Sequence, residues 1–193
     1  MIQFNKPQLL ITGANGFVGN RLCEQASKDG WPVRRAVRLS VLRNDVSIGD
    51  LRADTDWSIA LNDIETIVHL AARVHIMSDI SSNPLEEFRK VNTSGTLNLA
   101  RQAAELGIKR FIYLSSIKVN GEETQEGVPF TPNDIFVPTD PYALSKYEAE
   151  QGLLNLAAET EMEIVIIRSP LVYGPKVKAN FLSMMKWQNK DIV

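Results

Sequence analysis

The chain has 193 residues, 44% of them hydrophobic and 23% charged, with a formal net charge of −2, which describes an ordinary globular sequence about one domain in size. Its basic residues are scattered and no apolar run approaches a membrane span, so nothing points to nucleic acid or a membrane, while a phosphate-bearing small molecule stays open as a ligand. The one cysteine, Cys23, rules out an internal disulfide and a cysteine-rich metal site, no metal is expected, and the setting read from this usage is a reducing cytoplasm.

Residues 1–6 lack the charged start and apolar run of a signal peptide. Leu9, Leu10 and Ile11 then form an apolar strand that breaks after Thr12 into Gly13, Gly16 and Gly19, with Asn15, Phe17 and Val18 between them. Such a loop opening a helix can cradle a nucleotide: Gly13 allows a sharp turn, Gly16 a close pyrophosphate, and Gly19 tight helix–strand packing. A tight turn with no ligand is the alternative on spacing alone. Phe17, Val18, Leu22 and Ala26 recur at helical spacing until Gly30 and Pro32, with Cys23 expected in the core. Residues 33–38 read as the second strand. It ends in Arg38, where a dinucleotide fold often carries an acid that holds the adenosine ribose. With Arg34 and Arg35 on the same strand, Arg38 suggests a 2′-phosphate and hence NADP, against the alternative of three solvated arginines. Residues 46–50 suggest a short third strand ending in Asp50, which is either a ligand contact or a plain turn acid.

Residues 66–70 form a continuous apolar run of the kind buried in parallel sheets, followed by small Ala71 and Ala72. His69, inside that strand, is expected to be a satisfied core histidine, and His75 a loop residue. A long helix is expected over 84–106 with Asn83 as its cap. Asn92 falls mid-helix, which calls for a specific partner. A fifth strand over 109–114 ends in Ser115 and Ser116, and a long irregular connection with Gly121, Gly127, Pro129, Pro132 and Pro138 suggests a binding loop. Asp140 and Pro141 open a helix reaching about residue 160, residues 163–168 form a sixth strand, Ser169 and Pro170 leave it, and residues 180–188 are amphipathic.

This alternation predicts an α/β fold, a doubly wound parallel sheet of the Rossmann type. Ligands on such sheets gather outside the carboxyl ends of the strands, so the glycine loop, Arg38, Asp50, Ala71, Ala72, Ser116 and Pro170 share one edge. Tyr142 and Lys146 are four apart on one helix face. A phenol acting as a base near neutral pH needs its pKa lowered by about three units, and a neighbouring cation supplies part of that. An incidental surface pair is the bland reading.

The chain resembles the extended short-chain dehydrogenase/reductase family, the NAD-dependent epimerase/dehydratase group of nucleotide-sugar enzymes typified by UDP-galactose 4-epimerase. The resemblance rests on Thr12 through Gly19, Gly49–Asp50–Leu51, His69 through Ala72, Val91–Asn92, Leu114 through Ser116, Pro141 through Lys146, and Arg168 through Pro175. It implies that Tyr142 is the general acid or base, that Lys146 orients the nicotinamide ribose and lowers the phenol's pKa, and that Ser116 holds the reacting hydroxyl. It places Asp50 at the adenine and has Asn92 help position the lysine. Leu51, Leu70 and Pro170 count among the cofactor contacts, and Lys118 and Asn180 among the substrate contacts. Family dehydratases carry an acid pair where this chain reads Ile117–Lys118, which disfavours dehydration. Family members also continue into a smaller substrate lobe, so residues 1–175 are read as the dinucleotide domain and 176–193 as the start of a truncated lobe, and this chain alone is expected to be inactive. The implied function is an NAD(P)-dependent nucleotide-sugar 4-epimerase or 4-ketoreductase, with NADP favoured over NAD and a homodimer allowed. The alternative is a catalytically silent cofactor-binding redox sensor.

Overall fold

The apolar runs become six strands: β1 (Leu9–Thr12), β2 (Val33–Val37), β3 (Asp45–Ser47), β4 (Thr66–His69), β5 (Arg110–Ser116) and β6 (Glu163–Ser169). In the computed structural model, which describes residues 8–40, 42–43, 45–74, 83–134, 136–175 and 177, they form one sheet in the order β3-β2-β1-β4-β5-β6. Every neighbouring pair is parallel. Parallel neighbours need long crossovers, and these carry helices α1 (Phe17–Lys28), α2 (Ser58–Leu61), α3 (Pro84–Phe88), α4 (Thr96–Glu105) and α5 (Pro141–Glu159). Leu9 pairs with Val33 on one side and Thr66 on the other, so the chain runs outward in both directions from β1. The β1/β4 boundary is therefore the point where the strand order reverses, and a crevice opens there.

Alternation along β1 sends Leu10 and Ile11 to opposite faces. Leu10 joins Trp57, Ile67, Leu99, Phe111 and Leu153 in the larger core, while Ile11 packs with Ala14, Cys23 and Val37 in a smaller one. Cys23 is buried there as expected, and that burial pushes its thiol pKa up. Ile167 of the edge strand β6 stays exposed, as do Leu171, Val172 and Tyr173 just after it.

Several elements differ from the sequence reading. The third strand ends at Ser47 because Gly49 turns to φ +66°, yet the N–H groups of Ile48 and Gly49 still reach Val37 O and Arg38 O. The fifth strand runs on through Ser116, whose partner is Ser169. The helix over 84–106 forms, capped by Asn83, but its middle, Arg89–Gly95, is a π-helical segment containing Asn92. A one-turn 3₁₀ segment, Ile117–Val119, follows Ser116 and was not expected. His75 and residues 180–188 lie outside the described residues.

His69 is the core histidine expected. Its Nδ1 lies 2.7 Å from Thr12 Oγ1 and its Nε2 2.9 Å from Thr96 Oγ1. Thr12 Oγ1 also accepts the N–H groups of Leu70 and Ala71, so its own proton goes to Nδ1, and the imidazole carries its proton on Nε2. Burial, helped by the charge of Lys146, lowers the His69 pKa from 6.5 to about 3. The unfolded chain binds this proton near pH 6.5 and the folded one does not until about 3, so stability falls as pH drops through that window. At pH 5 the loss from this one group is about 2 kcal/mol. Thermal melts at pH 7.5 and pH 5 are expected to differ less in His69→Asn than in the parent, and an unchanged difference would refute the linkage.

Candidate dinucleotide and active site

The glycine loop is set by close approaches rather than by side chains. Gly13 has φ +63°, and a Cβ there would sit 2.8 Å from Ala71 N. A Cβ on Gly19 would stand 2.2 Å from Gly13 O, so α1 packs directly under the loop. The Gly16 N–H donates to Gly13 O at 2.9 Å. Gly16 is the N-cap of α1, and no side chain caps that helix or places an acid in its first turn. Its first N–H groups and its positive dipole end are thus left for an anion.

From this loop an open groove of about 1190 Å³ runs along the carboxyl edge of the sheet. Gly13, Asn15 and Gly16 line one end, Leu70, Ala71 and Ala72 the side toward β4, and Arg38, Asp50 and Leu51 the side toward β2 and β3. Nine of the anticipated cofactor contacts therefore share one concavity. Val91, beside Asn92 in the sequence, lines it too, as do Arg73 and Ser94, which nothing in their local sequence distinguished. Phe17 and Val18 start α1 beside the loop, and Gly19 is buried beneath it. The residues fit a dinucleotide: the loop would hold its diphosphate, and the β2–β3 side its adenosine.

The three-arginine reading of β2 does not survive. Arg34 donates to the carbonyls of Ala60 and Asn62, and Arg35 Nε donates to Asp45 Oδ1 at 2.9 Å. Of these three only Arg38 lines the groove, and its Nε is 3.6 Å from Asp50 Oδ1, a carboxylate it shares with Arg52. Both Arg38 and Asp50 are largely exposed, so their pairing is weak and either group remains accessible to a ligand.

Ser116, Tyr142, Lys146 and Pro170 stand outside that groove's lining, at the carboxyl ends of β5 and β6 and the start of α5. Asp140 Oδ1 accepts the Ala143 N–H at 2.9 Å and Pro141 occupies the first turn, which fixes where α5 begins. Tyr142 packs edge-on to Phe88 at 5.8 Å. Lys146 is buried, donates to Leu114 O at 2.9 Å and lies 4.4 Å from the centre of the Tyr113 ring. Desolvation pushes the Lys146 pKa down to about 7, with Glu150 opposing. The Tyr142 pKa moves the other way from expectation. Burial and then the Asp140 carboxylate raise it, while Lys146 Nζ donates to Leu114 O and lies over the Tyr113 ring. The phenol is therefore held protonated at neutral pH by this chain's own groups.

Asn92 has the partners its position demanded. Its Oδ1 accepts the Arg73 N–H at 2.8 Å, and its Nδ2 donates to Arg73 O and to Ser145 Oγ, each at 3.0 Å. Ser145 Oγ in turn donates to Tyr142 O at 2.7 Å, and Thr93 Oγ1 donates to Ser145 O. The π segment thus ties the exit of β4 to the helix of Tyr142 and Lys146. Sequence reasoning found Asn92 but missed Arg73 and Ser145, whose roles depend on contacts 19 and 53 residues away.

A smaller hollow of about 360 Å³ opens between Lys118, Gly121, Phe136, Pro138 and Asp140. Lys118 Nζ is 4.0 Å from Asp140 Oδ1 across it. Asn180 lies outside the described residues, as does most of the stretch over 176–193. Among the described residues no group of three or more His, Cys, Asp or Glu is placed to hold a metal, and no helix is long and apolar enough to cross a membrane.

A 3-2-1-4-5-6 parallel sheet with a glycine cradle at its switch point defines a dinucleotide-binding α/β domain. The chain belongs to the NAD dependent epimerase/dehydratase family, whose model matches residues 9–188. It is 48% identical over 188 residues to a UDP-glucose 4-epimerase of Vibrio cholerae, covering 95% of this chain and 57% of that protein. It is 32% identical to an N-acetyl-alpha-D-glucosaminyl-diphospho-ditrans,octacis-undecaprenol 4-epimerase of Escherichia coli O157:H7, covering 92% of this chain and 53% of that one. Among solved structures, MoeE5 in complex with UDP-glucose and NAD superposes with a TM-score of 0.79 at 27% identity, over 92% of this chain and 59% of that one. The UDP-glucose 4-epimerase of Thermotoga maritima with UDP-glucose gives 0.76 at 26% identity, over 92% and 61%. The chain therefore spans a little over half the length of the relatives it matches.

Proposed function

We propose that this chain is the cofactor-binding part of an NAD-dependent epimerase acting at carbon 4 of a UDP-hexose. The observation that carries this reading is the placement of Ser116, Tyr142 and Lys146 on the same carboxyl edge of the sheet as the glycine cradle, one strand beyond the switch point. The names of the similar epimerases support the substrate class.

In this reading a nicotinamide bound along the groove would supply a hydride acceptor at the sugar carbon and a positive ring near the phenol. Tyr142 would exchange the proton of the 4-hydroxyl, and since burial and Asp140 raise its pKa, a positive nicotinamide ring beside it would favour the phenolate. Ser116, half-buried at the strand end, hydrogen-bonds the same oxygen. Lys146 would hold a ribose hydroxyl of the cofactor, and Asn92 with Ser145 fixes the helix turn that carries both groups.

NAD rather than NADP is now the better-supported cofactor. Arg34 and Arg35 are engaged elsewhere, Asp50 would repel a 2′-phosphate beside Arg38, and MoeE5 is described with NAD. An epimerase that recovers its hydride each cycle also has no need of a separately reduced pool. The full protein is expected to interconvert UDP-glucose and UDP-galactose with no net change in NADH absorbance, and to bind NADH at least about tenfold more tightly than NADPH. Stoichiometric consumption of a reduced cofactor would make it a ketoreductase instead. Cofactor binding with no turnover of any nucleotide sugar would favour the sensor reading.

A further inference from the structure

The connection over 121–138 leaves the turn after Ser116 and returns at the cap of the helix bearing Tyr142. Both of its ends are thus fixed by the groups assigned to chemistry, and its middle is held from below. Asn120, buried just before it, donates from Nδ2 to Thr131 O at 2.7 Å. Arg168 of β6 donates from one terminal nitrogen to Asn120 Oδ1 at 3.2 Å and to Pro132 O at 3.3 Å. The rest of its guanidinium faces Glu150. Nε lies 3.2 and 3.1 Å from the two carboxylate oxygens, and the other terminal nitrogen 2.7 Å from Oε2.

Glu150 is fully buried while the Arg168 side chain keeps 20% of its surface exposed, and a carboxylate in that position is tolerable only while the guanidinium stays paired with it. A planar fork with five donors can serve the carboxylate with one edge and the loop with the other, which an ammonium cannot do. The piece it grips is itself a formed turn. Thr131 donates from its N–H and its hydroxyl to Asp134 at 2.8 and 2.5 Å, and those bonds hold the Asp134 carboxyl below the usual range, with Asn120 and Arg168 adding to them. Phe130 packs over Gly121, where an added Cβ would meet its ring at 3.2 Å. The loop therefore docks as a unit rather than as a string.

The anchor also sits within the active-site frame. Glu150 is one helical turn beyond Lys146, and Arg168 lies opposite Ser115, with Ser169 opposite Ser116. We propose that Arg168 and Asn120 are positioning residues for the sugar: anchored on Glu150, they grip the loop at Thr131 and Pro132 and so set the wall of the hollow between Lys118, Phe136 and Asp140. This rests on the hexose reading above, since that hollow lies two residues from Ser116 along one chain end and two from Tyr142 along the other.

The test compares Asn120→Ala and Arg168→Lys, the latter keeping the charge beside Glu150 while losing the fork, in the full protein. Each is expected to raise KM for UDP-glucose about fivefold or more, with kcat within about threefold and the NAD dissociation constant within about twofold of the parent. Each should also speed hydrogen exchange in the loop amides of 122–134. Unchanged loop exchange overturns the proposal whatever the turnover, and so does faster exchange with an unchanged KM. An equal loss of NAD affinity overturns it as well, because the network would then only hold the fold. A parent protein that turns over no UDP-hexose sinks the functional reading separately, since exchange and NAD titration are measured without the sugar.

Discussion

Tyr142→Phe is expected to lower turnover of a UDP-hexose by about a thousandfold or more while moving NAD affinity by no more than about twofold. The substitution removes one oxygen. The ring keeps its edge contact with Phe88, and α5 keeps its cap at Asp140 and its Asn92–Ser145 tie to the π segment. What disappears is the only phenol placed to exchange a proton at the sugar oxygen in this reading. Rapid-mix assays with UDP-glucose, together with NAD titration by fluorescence, separate the two quantities. Activity within about tenfold of the parent would assign the proton to another group.

Gly19→Ala is expected to weaken NAD binding by about tenfold or more while leaving the sheet intact. The new methyl would stand 2.2 Å from Gly13 O and within 3.0 Å of Gly13 C and Ala14 Cα, all backbone atoms that cannot swing aside as a side chain would. Relief requires the loop to rise off α1, at a cost of about 1–3 kcal/mol. The N–H groups that would meet the diphosphate move with it. Circular dichroism should stay near the parent's, and calorimetric titration should show the loss. Undiminished NAD affinity would mean that the diphosphate is not held at this loop.

The difference between the two variants follows the division of the molecule. One changes a proton carrier at the end of the β5 side of the sheet, and the other changes the cradle at the end of β1. Of the two changes, only the one at the cradle is expected to alter cofactor affinity.

Most of the strand and helix pattern was legible in the sequence because buried parallel strands are written as short apolar runs, and because glycine and proline mark their ends. The glycine loop, Asn92 as a residue in need of a partner, His69 as a core histidine, and the Tyr142–Lys146 face could all be read from type and spacing. These are local properties: a turn that needs φ +63° selects glycine wherever the rest of the chain goes. Tertiary structure decided the electrostatics. Spacing placed three arginines on one strand, but partners 10 to 28 residues away engage Arg34 and Arg35 and leave only Arg38 at the groove. Spacing put a cation near a phenol, but burial raises the Tyr142 pKa, and the Lys146 ammonium spends itself on Leu114 O, 32 residues back in the chain. Charges act through space and through desolvation, and both are set by residues far apart in sequence. The clamp of Glu150, Arg168 and Asn120 on the loop is likewise invisible until β5, β6 and α5 meet.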